Sequence, residues 1–231
     1  MKLLDRSGAN TKLAKTNDGS EYLVAGLSMY PDDVLCAFRK RAECDKTCIV
    51  FSGMARVFPK VNESRQRKSA WFHEDRPAFL TQLRKELRLH EKNCIKKGVK
   101  PAVRLNVFTD VQWEKLGIPQ EFPDTFFYDY TKVASRLHKL PPNYKLMFSY
   151  SGAKAFRPFL LKAWTQDIPI SVVFKNKLPR FFMGRRVIDG DKSDLDNVAA
   201  GQVIVGLIEK VTGNEASPSF VVDPDLITSI N

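Results

Sequence analysis

The sequence predicts an α/β fold, a parallel (β/α) partial barrel of about six to seven strands of the TIM-barrel kind. Three observations carry that expectation. Short apolar runs recur along the chain, and most are separated by segments long enough for a crossover. The runs end in polar, chemistry-bearing residues, at the end of a parallel sheet where sites are built. The 231 residues suffice to bury a full core, and neither a repeat of fixed period nor a linker divides them. One domain over residues 1–231 follows, with residues 1–20 expected as a loose polar lead-in.

Residues 22–29, YLVAGLSM, form the first strand-length run, and Pro31, Asp32 and Asp33 break it. A cysteine-rich loop follows. A short basic helix is expected over Glu63 to His73. Asp75 then suits a helix cap, Pro77 a first turn and Gly98 a stop. Between them Phe79, Leu80, Leu83 and Leu87 recur at helical spacing, and Cys94 falls on the same face, so it reads as core.

Six further runs read as strands: Val103 to Asp110, Thr125 to Lys132, Tyr144 to Ser151, Ile168 to Lys175, Val187 to Asp191, and Gln202 to Leu207. Alternation along the first of these sends Arg104, Asn106, Phe108 and Asp110 to one face. Asp129 interrupts an aromatic run in the second. Two readings stand, a polar cavity or a buried ion pair such as Arg104 with Asp129. The strand ends supply Thr109, Asp110, Thr131, Lys132, Ser149, Ser151, Lys175, Asp189 and Asp191.

Hydrophobic content of 43% is that of an ordinary globular chain, which argues against global disorder. Lys and Arg number 37 against 26 acids, a net charge of +11. That excess favours a polyanion such as a nucleic acid or nucleotide, against a generally basic surface. Arg65, Arg67 and Lys68 are the candidate phosphate contacts; a host protein is a further possible partner. No apolar stretch is long enough for a membrane span and no leader pattern opens the chain, so a cytoplasmic location is expected.

Cys36, Cys44 and Cys48, spaced C-x7-C-x3-C, gather three of the four cysteines on one loop. In a reducing compartment such a cluster points to a metal rather than to disulfides. Three thiolates leave one coordination position open, which suits a 4Fe–4S cluster with one iron free for a small molecule. Zinc and no metal are the alternatives. Residues 187–196, VIDGDKSDLD, lack the Gly and Glu positions of an EF-hand. Asp189, Asp191 and Asp194 leave a magnesium-dependent nuclease or a solvated acidic turn. His73, His90 and His138 are far apart in sequence and read as surface residues. The sequence has no P-loop, dinucleotide-binding, serine-hydrolase or deaminase signature.

The cysteine loop, HEDRPAFLTQLRKEL, KPAVRLNVFTDVQWE, FPDTFFYDYTK, LPPNYKLMFSYS and VIDGDKSDL resemble the uncharacterised gene-product-88 family of phages and plasmids. More distantly, the order of parts resembles radical S-adenosylmethionine enzymes of the spore photoproduct lyase group. Those share a three-cysteine loop after the first strand, a cofactor segment after the second, here Val107 to Glu114, and a Thr-Lys pair ending the third, here Thr131 and Lys132. The resemblance implies a cluster on Cys36, Cys44 and Cys48, with S-adenosylmethionine chelated at the open iron. Asn106, Thr109, Ser149, Lys175 and Asp189 are then candidates for holding the cofactor, and Asp110, Asp129 and Lys132 for catalysis on a nucleic acid or nucleotide. The rival is a non-enzymatic basic protein binding nucleic acid or a host factor, with a structural metal or none.

Overall fold

A computed structural model describes residues 1–5 and 21–227. Its centre is a mostly parallel sheet, not closed on itself. In chain order the strands are β1 (Leu4–Asp5), β2 (Tyr22–Leu27), β3 (Lys100–Arg104), β4 (Phe126–Thr131), β5 (Tyr144–Ser149), β6 (Ile170–Phe174), β7 (Phe181–Phe182), β8 (Arg185–Asp189), β9 (Ile204–Ile208) and β10 (Val221–Val222). In space they run β1-β2-β3-β4-β5-β6-β9-β8-β7, with β10 beside β6. From β2 to β8 every pairing is parallel. β1 and β7 close the two edges as antiparallel partners. β10 pairs with Val173 and Phe174 of β6, beyond the stretch that pairs with β5.

All seven runs expected as strands are strands. β3 differs in extent, because it ends at Arg104 rather than Asp110. The cause is local: the Asn106 carboxamide oxygen accepts from the Val111 amide, the Thr109 hydroxyl and the Trp113 indole, at 2.9, 3.0 and 3.1 Å. A side chain that gathers this many groups of the following segment turns the chain out of the ladder.

The basic helix is longer than expected, spanning Pro59–Glu74 (α1). The next, Arg76–Lys97 (α2), has the expected ends. The Asp75 carboxylate accepts from the Ala78 amide, and Gly98 takes the left-handed conformation with φ 66°. Phe79, Leu83 and Leu87 of α2 pack on Ala25, Leu27 and Val103 of the sheet, and Cys94 is fully buried as expected. The same face continues across the sheet, where Phe156 and Leu160, the latter in helix α3 (Arg157–Trp164), meet Phe148, Ile170 and Val172. The strand order doubles back between β8 and β9, and the crossover joining them covers the other face. Its helix α4 (Asp194–Val198) sets Val198 against Val24, Ala102, Tyr128 and Met147.

The lead-in departs from expectation at its start. Leu3 and Leu4 are buried, and their amides donate to the Glu86 carboxylate of α2 at 2.9 and 2.7 Å. Residues 6–20 lie outside the described residues. Among the described residues no helix is long and apolar enough to cross a membrane.

Candidate metal centre at the C-terminal ends of the strands

The cysteine loop begins where β2 ends. Asp32 organises its first turn: one carboxylate oxygen accepts from the Val34 and Leu35 amides at 2.8 Å, and the other meets the His73 ring of α1 at 2.7 Å. Burial opposes the Asp32 charge, but the Leu35 amide, the His73 ring and the Val34 amide hold the carboxyl below its ordinary value. His73 is therefore a tether of the loop. His90 is also not a plain surface group; it contacts the Leu23 carbonyl at 3.1 Å, and burial lowers its pKa. His138 is exposed.

Two of the three residues expected to meet phosphates are structural. Arg65 donates to the Val50 carbonyl at 3.2 Å and lies 4.1 Å over the Phe108 ring, so it fastens the cysteine loop to the turn after β3. Lys68 is buried and donates to the Leu3 carbonyl and the Asp5 carboxylate. Arg67 alone is exposed. The three do not form a cationic patch, because Arg65 and Lys68, on one face of the helix, spend their donors on structural partners and Arg67 points elsewhere.

Cys36, Cys44 and Cys48 are free and half-buried. Burial raises the Cys36 thiol well above its ordinary value; Asp110 and the other two thiols add to the shift, and Lys132 opposes it. Burial also raises Cys44, against Lys132, and lifts Cys48 to about 11. Lys132 thus acts on all three thiols, and Asp110 on Cys36 and Cys44. As a donor set the three thiols suit a soft metal or an iron–sulfur cluster. Among the described residues, though, no three Cys, His, Asp or Glu side chains are assembled as a metal-binding group. A metal held there would require the thiols to release their protons.

Lys132 is the cation of this mouth. Its ammonium donates to the Ser149 hydroxyl at 2.5 Å and lies 4.7 Å over the Phe220 ring, which comes from the segment before β10. Its backbone amide donates to Asp110 at 2.8 Å. Asp110 also accepts from Thr131 at 2.8 Å and from Arg136 at 2.6 Å. Arg136 has no exposed side-chain surface and reaches Glu114 and the Tyr144 hydroxyl as well, each at 2.9 Å. Burial works against the Arg136 charge, but Tyr144, Asp110 and Glu114 outweigh it and the net shift is upward.

The Tyr144 hydroxyl donates to Asp129 at 2.7 Å, and the Asn106 amide donates to the other Asp129 oxygen at 2.7 Å. Burial pushes the Asp129 carboxyl up to about 7 despite these donors and the nearby arginines. Asn106, Thr109 and Asp129 therefore use their polar groups on one another, behind the mouth. Neither Asn106 nor Thr109 is presented to a ligand there.

The remaining candidates sit apart. Lys175 is exposed and pairs with Asp223 at 3.5 Å, and Asp189 is exposed and accepts from the Asp191 amide at 3.0 Å. Asp191 pairs with Lys210 at 3.1 Å. Asp194 is fully buried against Arg104, so the acidic stretch is neither a three-carboxylate metal site nor wholly a solvated turn. Arg104 thus makes a buried ion pair, the second of the two readings, but with Asp194 rather than Asp129. Ser151 is buried, and its hydroxyl accepts from the Ala153 amide at 3.1 Å.

Sequence reasoning missed Arg136, Glu114, Tyr144 and Phe220. Their partners lie on other elements, and only Glu114, at the end of the expected cofactor segment, had any signal. A cavity of about 1350 Å³ opens at the other end of the sheet, beside Tyr22, Phe126 and Tyr144, the first residues of β2, β4 and β5. Its position is opposite to where parallel α/β folds build their sites.

The Gene product 88 family matches residues 2–223. The chain belongs to this family. No curated protein and no solved structure matches it. Within this Gene product 88 member, the match spans the cysteine loop, the Asp110–Arg136 network and Lys132 alike.

Proposed function

We propose that this Gene product 88 protein is an iron–sulfur enzyme of the radical S-adenosylmethionine type, with its sheet as the partial barrel and its cluster on Cys36, Cys44 and Cys48. One observation carries the reading: the loop after β2 that bears the three thiols is tied to the segment after β3 by the Asp110 amide, which donates to the Leu35 carbonyl at 2.7 Å, and Lys132, just after β4, acts on all three thiols. The sequential order β2 to β6, with helices packed on one face, supports the barrel reading, since right-handed crossovers wound one way build a barrel.

A cluster ligated by three thiolates supplies an open iron for the amino acid end of S-adenosylmethionine and an electron for its activation. The protein's part is positioning. Lys132, steadied by Ser149 and Phe220, offers an ammonium to the cofactor's carboxylate. Asp110 and Arg136 hold the backbone of Lys132 in register with the mouth. The substrate class in this reading is a nucleotide or nucleic acid.

A second reading is a non-enzymatic binding protein with a structural metal or none, which the net charge of +11 favours because a basic surface needs no cluster to bind a polyanion. Anaerobic purification with iron and sulfide assay and a visible spectrum, on wild type and Cys44→Ala, separates the two. About four irons per chain, with brown absorbance lost in the variant, supports the cluster. Colourless, iron-free protein after anaerobic reconstitution refutes it.

A further inference from the structure

We infer that α2 carries a binding site for the phosphate backbone of a nucleic acid, made by Lys85, Arg88, Lys92 and Lys96. The site does not depend on the cysteine loop, and it is not the surface that Arg65, Arg67 and Lys68 were expected to form. The four residues are spaced three, four and four apart, which puts them on one stripe of the helix. All four are exposed. The stripe lies opposite Phe79, Leu83, Leu87 and Cys94, the face buried on the sheet.

The charge on this helix is sorted by sign. Its two acids point to neutral donors: Glu86 accepts from the Leu3 and Leu4 amides and from Gln82, and Glu91 accepts from the Thr125 hydroxyl at 2.7 Å. The nearby acid Glu121 is taken by Arg84, at 2.6 and 2.7 Å. No described carboxylate forms an ion pair with Lys85, Arg88, Lys92 or Lys96; Arg88 leans 5.9 Å over the Phe122 ring and feels the Glu121 charge from beyond ion-pair distance. An outward stripe whose charged side chains are all cationic, on a chain of net charge +11, is complementary to a polyanion.

The geometry selects nucleic acid among polyanions. At a rise of about 1.5 Å per residue the stripe is about 16 Å long. At roughly 3.4 Å of axis per phosphate on one strand, it faces about five phosphates. A helix seated on anionic lipid would need a continuous apolar face, and the apolar face of α2 is already buried on the sheet. The exposed Leu89 and Ile95 are isolated aliphatics.

The test is fluorescence anisotropy with a labelled mixed-sequence duplex and its single strand, at several salt concentrations. Three proteins are compared: wild type; Lys85→Ala, Arg88→Ala, Lys92→Ala and Lys96→Ala combined; and a control that removes the same charge at four exposed residues outside α2, through Lys154→Ala, Arg157→Ala, Lys162→Ala and Arg186→Ala. Alanine keeps the helix, which circular dichroism checks. The α2 variant is expected to lose affinity by roughly 10²- to 10³-fold, and its log–log salt slope to flatten by about 3 to 4, while the control changes little. Three results would overturn the inference: equal loss in both variants, no binding by wild type, or tighter binding to phosphatidylserine vesicles than to either nucleic acid.

Discussion

Arg104 and Asp194 stand 90 residues apart in sequence and pair at 3.0 Å with almost no exposed side-chain surface. Arg104 ends β3, and Asp194 opens α4 on the crossover from β8 to β9. Tyr130 completes the group, donating to Asp194 at 2.7 Å and lying 4.6 Å under the guanidinium. This pair fastens the crossover to the middle of the sheet. Asp194→Ala leaves a buried guanidinium without its counter-ion and is expected to cost about 3–5 kcal/mol. The double change Arg104→Met, Asp194→Leu is expected to cost less than Asp194→Ala alone. Urea unfolding of the three proteins checks the order.

Arg136 is the hub of a second buried network. Arg136→Met strands the Asp110 and Glu114 carboxylates and is expected to cost about 3–5 kcal/mol. Asp110 accepts from the Lys132 amide as well, so the change also loosens the mouth. Thermal unfolding measures the first effect. Faster labelling of the three loop cysteines under native conditions, counted by mass spectrometry, measures the second.

Asp129 makes stability depend on pH in the sense opposite to that of a salt-bridged carboxylate. Its folded value of about 7 lies above that of an exposed aspartate, roughly 4. The folded state therefore holds a proton that the unfolded state has released between these values. This contribution is complete below about pH 4 and is lost as pH rises through about 7. Asp129→Asn is expected to flatten the stability profile over that window. Urea midpoints for both proteins at intervals from pH 4 to 8 test it; parallel profiles would count against the assignment.

The raised thiols of Cys36, Cys44 and Cys48 predict that metal uptake releases protons. Cobalt(II) added anaerobically to metal-free protein is expected to give sulfur-to-cobalt charge-transfer absorbance and to acidify a weakly buffered solution. Cys48→Ala is expected to weaken both signals, and excess chelator to reverse them. An unchanged spectrum in wild type would show that the three thiols do not hold the metal.

Much of the fold was legible because it rests on local patterns. Seven apolar runs identified seven strands, and Asp75, Pro77 and Gly98 marked the ends of α2 through backbone chemistry confined to a few residues. Three short strands, β1, β7 and β10, were not legible, since two residues of ladder carry no period. The polar residues misled for a related reason. Asn106 looked like a strand residue facing a cavity, but its side chain folds the following turn around itself. Lys68 looked like a phosphate contact, but the Leu3 carbonyl and Asp5 claim it.

The sequence alone determined the parallel α/β class, the helix that spans Arg76 to Lys97 and the grouping of three cysteines on one loop, because periodicity, caps and spacing act between near neighbours. Tertiary structure decided which charges meet. Arg104 took Asp194 rather than Asp129, and Arg136 took Asp110 and Glu114, because a buried charge is held only by a partner that the fold brings within hydrogen-bond distance. The acids of α2 were likewise drawn to neutral donors on neighbouring elements, which left its outer stripe cationic. Sequence distance carries no record of such pairings.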